Sequence, residues 1–128
     1  MQRRKARQLL LKTLFQQDFR TVDADALIAD GGFDDPFLCD TLHGIQVHRA
    51  ELDALIGNYA QGWVLERLVS VDRNILRLAL YELRHTDTPA QVVINEAVEL
   101  AKRFGTQQSA SFINGVLDRV WKELTSTR

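Results

Sequence analysis

From residue 5 to residue 19 the apolar positions recur with the period of a helix. Ala6, Leu10 and Leu14 form one stripe with Leu9 and Thr13 beside it, while Lys5, Gln8, Lys12 and Gln16 line the opposite face. This predicts an amphipathic helix that buries one side. Arg4 and Phe15 fall at the border between the faces. Arg3 and Arg7 point with Leu10 and Leu14 and so overhang the rim of the core. The stretch TVDADALIADGGFDD interrupts the pattern; acidic and closed by Gly31-Gly32, it predicts a connection with at most a short helix. Asp35-Pro36 then offers a capping carboxylate followed by proline at the first helical position. Beyond it Leu38, Leu42, Ile45, Leu52, Ile56 and Tyr59 keep helical spacing, as one long helix bent near Gly44 or as two in succession.

The second half continues in the same way. WVLERL predicts a short helix, and Ser70 is placed to cap VDRNILRLALYELRH. That segment is apolar around most of its circumference and keeps only a narrow polar strip with Arg73 and Arg77, so it belongs at the centre of a bundle. TPAQ has the form of a capping box, Thr88 to Gln91, at the head of a helix ending at Phe104. Gly105 follows as an expected left-handed cap. Ser109 is a candidate cap for the last helix, which carries Val116, Leu117, Val120, Trp121 and Leu124. With no strand pattern, repeat or low-complexity tract, the chain reads as one all-α domain over residues 1–128, with six or seven helices.

Composition narrows the function classes. The chain has 128 residues, 45% apolar and 26% charged, which suits a single soluble domain with a real core. No apolar run approaches the ~20 residues that span a bilayer, and the basic start lacks the apolar stretch of a secretory signal. A single cysteine, Cys39, cannot form an internal disulfide, which suits the cytoplasm. The net charge of −1 conceals an asymmetry: residues 1–20 carry six Lys/Arg against one Asp, and residues 21–60 carry eight Asp/Glu against Arg49 alone. Cations at a helix N-terminus oppose the helix dipole. An incoming polyanion would reverse that penalty, because cations and open amides then act on phosphate together.

Catalytic chemistry is not evident. His43, His48 and His85 do not combine with Cys39 into a four-ligand metal set, although Cys39 and His43 stand four apart on one helix. There is no nucleophile elbow, P-loop or dinucleotide turn. Glu96 and Glu99 share a helix, but Glu99 is placed to pair with Lys102 or Arg103. Neither an enzyme nor a cofactor or metal protein is expected. The basic start, Arg3, Arg4, Lys5 and Arg7, is the feature to explain, and Phe15 is either a stacking platform for single-stranded RNA or a rim aromatic of the core. In TQQSASFING, Ser109, Ala110 and Ser111 offer amides at a helix start, with Phe112 either a contact or a staple to the core.

Four segments, RRKARQLLLKTLFQ, VDRNILRLALYEL, VVINEAVELAKRFG and SASFINGVLD, occur in an order and spacing that resemble the NusB family of bacterial transcription antitermination factors. LHGIQVHRAELDALI extends the likeness, and residues 20–35 add nothing to it. The resemblance implies two small helical bundles packed around a central apolar helix. It implies binding of boxA RNA jointly with NusE, a small-subunit ribosomal protein, and assembly of an antitermination complex on RNA polymerase, notably in ribosomal RNA transcription. Carried onto this chain, the RNA contacts are Arg3, Arg4, Lys5, Arg7 and Phe15, then Gln108, Ser109, Ser111 and Phe112; the neutral Gln108 and Ser111 depart from the charged residues often found there. The NusE-facing surface falls around Glu66, Asp72 and Arg73, and Asn95 and Asn114 are read as buried structural amides. Rival classes are an RNA-binding appendage of a ribosomal RNA cytosine methyltransferase and a purely protein-binding helical module. A monomer or a homodimer is compatible with the sequence.

Overall fold

The structure, a computed structural model, describes residues 1–60 and 69–126. Its elements are α1 (Arg3–Gln17), α2 (Ala24–Gly31), α3 (Pro36–Val47), α4 (Arg49–Tyr59), α5 (Ser70–His85), α6 (Ala90–Phe104) and α7 (Ser109–Ser126). The helix expected over WVLERL lies outside the described residues. α5 touches α1, α3, α4, α6 and α7; α3 packs on α1 and α2, while α7 packs on α6 and α4. Two small bundles thus share α5, as its nearly all-round apolar surface requires. Leu10, Leu14, Leu38, Leu42, Ile75, Leu76, Leu80 and Ile113 are among the fully buried side chains of one continuous core. No helix among the described residues is long and apolar enough to cross a membrane.

The polar strip of α5 is itself interior, with Arg77 and Glu82 buried and Asn74 wholly so. Arg77 donates from Nε and Nη2 to Asp53 of α4 at 2.7 and 3.0 Å, and from Nη1 to Asp18 at 3.3 Å. Glu82 accepts two 2.9 Å hydrogen bonds from Arg7 of α1. Removing one partner of such a pair leaves an uncompensated charge and costs about 3–5 kcal/mol. The polar side of the central helix therefore bolts α1 and α4 in place.

Several local expectations give way to longer-range contacts. Asp35 caps α3 as expected, accepting from the Leu38 amide at 3.0 Å, and Asp23 caps α2 in the same way. The α3–α4 break falls at His48 (φ −98°, ψ 13°) and not at Gly44. Gly44 lies under Tyr81, where an added Cβ would overlap the ring, so that glycine serves the approach of α3 to α5. Ser70 does not cap α5, because its hydroxyl donates to Asp18. The Thr88 capping box does not form; Thr88 meets Thr86, and Gln91 donates to Asn95. Gly105 is extended (φ −94°) and not left-handed. A side chain there would stand 2.5 Å from Ser109 Oγ and 2.8 Å from the Ala101 carbonyl, which explains the glycine by space. Asn95 and Asn114 are exposed, not buried.

Candidate nucleic-acid interface

The basic start divides on folding. Arg3, Arg4 and Lys5 are exposed on the first turn of α1, where the first-turn amides add to their positive potential. Arg3 places its guanidinium 4.3 Å from the centre of the Phe37 ring, a cation–π contact that orders it without neutralising it. Arg4 donates to Glu96 of α6 at 3.2 Å while its side chain stays 65% exposed. Arg7 is different. It is only 4% exposed and is held by Glu82 and, at 3.8 Å, by Glu96. Burial alone would lower its pKa; the hydrogen bond and charge of Glu82, with Glu96, raise it instead. The Arg7 guanidinium, which also stands 5.3 Å from the centre of the Phe37 ring, is buried and, contrary to expectation, does not overhang the rim; it fastens α1 to α5.

Further cations stand along α1 and α6. Lys12 of α1 and Arg103 of α6 both approach the Phe104 ring, at 5.9 and 5.4 Å. Lys12–Phe104 and Arg4–Glu96 share one offset of 92 positions, so α1 and α6 run parallel. Between them lies a cleft of about 260 Å³ whose lining includes Arg4, Arg7, Gln8, Glu96, Lys102 and Arg103. As expected, Glu99 pairs with Lys102, at 3.6 Å. The cationic strip thus leads from the first turn of α1 along both helices. Phe15 lies one turn beyond Lys12 on α1, about 16 Å from Arg4 at the rise of a helix and towards the C-terminal end of α6.

Towards that end Phe15 is 38% exposed, so its ring can be reached from solvent. It leans on Phe19, 70% exposed, with ring centres 5.0 Å apart. Phe19 was not among the expected contacts, although its i,i+4 relation to Phe15 signals a pair. Gln108 and Ser111 are exposed and Phe112 is partly buried against the core. Ser109 is 1% exposed and belongs to the framework. Its Oγ accepts from the Thr106 amide at 2.9 Å and its own amide donates to the Thr106 carbonyl, so it neither caps α7 nor opens to a ligand.

The ends of α1, α5 and α7 are tied together below this surface. Asp18 accepts from Ser70, from Arg73 at 3.0 Å and from Asn74 at 2.8 Å. Burial pushes its carboxyl pKa up, but these hydrogen bonds and the Arg73 charge hold it below the ordinary value. Asp72 is buried; desolvation raises its pKa, partly offset by a hydrogen bond from Ser109. Of the expected protein-facing residues, Asp72 is thus turned inward and Arg73 faces Asp18, while Glu66 lies outside the described residues. Asp72 shapes this end of the molecule from within, and the partly exposed Arg73 is held against Asp18.

A model of the NusB family matches residues 4–122. The transcription antitermination protein NusB of Solibacter usitatus is 45% identical over 131 residues, spanning 95% of this chain and 90% of that protein. The solved structure of T. maritima NusB is 41% identical and superposes with a TM-score of 0.86, covering 96% of this chain and 92% of that one. Antitermination factors NusB and NusE, solved in complex with double-stranded RNA, give a TM-score of 0.82 at 24% identity over 94% of this chain and 96% of that one, a likeness of fold.

Proposed function

The chain belongs to the NusB family, and on that premise we propose that it is a transcription antitermination factor that binds boxA RNA together with NusE. It works by binding and not by catalysis, as one domain over residues 1–128, in the cytoplasm, and helps assemble an antitermination complex on RNA polymerase during ribosomal RNA transcription. The observation that carries this reading is the exposed cationic strip that ends at an exposed aromatic pair. Arg3, Arg4 and Lys5, continued by Lys12, Lys102 and Arg103, neutralise phosphates. Phe15 and Phe19 stack on unpaired bases beside Gln108, Ser111 and the accessible edge of Phe112. NusE is assigned to the surface around the start of α5, where the exposed Val69 supplies an apolar contact above the inward-facing Asp72 and Arg73.

The test is a boxA titration with and without NusE at two salt concentrations. Arg3→Glu combined with Arg4→Glu is expected to lower affinity roughly tenfold or more with an unchanged helical circular dichroism signal. A change within about twofold would overturn the assignment of the strip.

A further inference from the structure

We propose that His48, Glu51 and His85 form a binding site for one divalent cation of the zinc class. The three residues come from the α3–α4 joint, the first turn of α4 and the last turn of α5, and the fold brings together two histidines separated by 37 positions of chain. One ligand atom from each, an imidazole nitrogen of each histidine and a Glu51 carboxylate oxygen, lies within 4.8 Å of the others. His85 Nε2 is 2.8 Å from Glu51 Oε2, and His48 Nδ1 is 3.9 Å from Glu51 Oε1. The two imidazole rings stack with centres 3.9 Å apart and planes 19° from parallel.

Ligand atoms around a tetrahedral zinc ion, bonded at ~2.0–2.2 Å, stand about 3.3 Å apart. Closing the set takes a movement of about one to one and a half ångströms by three side chains that are each partly exposed, together with a tilt that unstacks the two rings so that both in-plane lone pairs meet at one point. The backbone beneath them is already placed. The His48 amide donates to the Gly44 carbonyl and its carbonyl accepts from Leu52, each at 2.9 Å, and Leu52 is fully buried. Two imidazoles with one carboxylate favour zinc, copper or nickel over magnesium or calcium, which take oxygen ligands. Three protein ligands leave one position for water. His85 also lines an open groove of about 700 Å³ with Arg3, Phe37, Tyr81 and Asp87, which gives an ion an entry path. Arg84, 3.8 Å from Glu51 Oε2, competes for the same carboxylate; it is 34% exposed and can turn into solvent. A bound ion would stitch the bend at His48 to the end of α5.

The experiment uses the full chain without a histidine tag, titrated with Zn²⁺ alone by calorimetry, while the imidazole resonances are followed by NMR. Saturable one-to-one binding is expected, with the His48 and His85 ring signals moving together. His48→Gln and His85→Gln should each weaken binding by roughly tenfold or more, and His43→Gln should leave it unchanged. Absence of saturable binding, ring signals that do not move, or affinity that survives both substitutions would overturn the site. So would a loss confined to His43→Gln. The ring signals are read in the unaltered protein, so a variant that fails to fold does not remove the test.

Discussion

At the scale of single residues, arginines three positions apart have opposite fates, and exposure separates them. Arg4 keeps most of its side chain in water, whereas Arg7 is enclosed with Glu82. Arg7→Ala is therefore expected to cost about 3–5 kcal/mol in urea unfolding, whereas Arg4→Glu should leave the unfolding midpoint within the range of an ordinary surface change, about 0.5 kcal/mol. The wheel placed Arg7 at the rim because it carries direction but not depth. Its partner Glu82 stands 75 positions away and has no local signature. Phe15 at the border of the faces was legible for the opposite reason, since border placement is itself a statement of partial exposure. His43 supplies a pH prediction. Its ring is hydrogen-bonded to Asp25 at 2.5 Å, which raises its pKa above the ordinary value; burial lowers it, and Asp40 adds to the rise. A raised folded pKa gives stability that is fully present below ~6.5 and lost as pH rises through the folded value. Both partners are well exposed, so the effect on melting is small, and the direct check is an NMR titration. The His43 midpoint should lie above the ordinary value and fall in Asp25→Asn.

At the scale of elements, the helices and their order were readable from periodicity, and their ends only where the capping group was local. Asp35 caps α3 because no other group competes for its carboxylate strongly enough to turn it away. Ser70 carries the same signal, but Asp18, 52 positions earlier, takes its hydroxyl. Gly105 carries the signal of a turn residue, yet its requirement is room for Ser109. Gly105→Ala is accordingly expected to destabilise by about 1–3 kcal/mol, as an overpacked contact does, with the loss read by thermal unfolding. Asp18 governs the junction of α1 with α5. Its lowered carboxyl pKa contributes stability present above the ordinary carboxylate value and lost as pH falls through the folded one. Asp18→Ala should remove that acid-side dependence and destabilise by about 3–5 kcal/mol, since Arg77 and Arg73 lose a shared anion. Hydrogen exchange should show the loss first at the end of α1.

At the scale of the whole molecule, the net charge of −1 says nothing about nucleic acid; the distribution of charge does. With about six phosphates neutralised on a single strand, one for each cation of the strip, the logarithm of affinity should fall against the logarithm of salt with a slope of about −4, from ~0.7 per contact. Measured affinities across a salt series check this directly, and a flat dependence would contradict the strip. The sequence revealed the first cations but not their continuation, because Lys12 and Arg103 meet only through Phe104 once α1 and α6 lie side by side. One contact on that strip has a wider meaning. Glu96 grips Arg4 as a phosphate oxygen would, so the protein carries an internal competitor for its own ligand, and each encounter begins with an exchange of one anion for another. Dulling that rival should make the surface greedier: Glu96→Gln is expected to tighten RNA binding, measured as a lower dissociation constant at fixed salt, and to slow release of the strand.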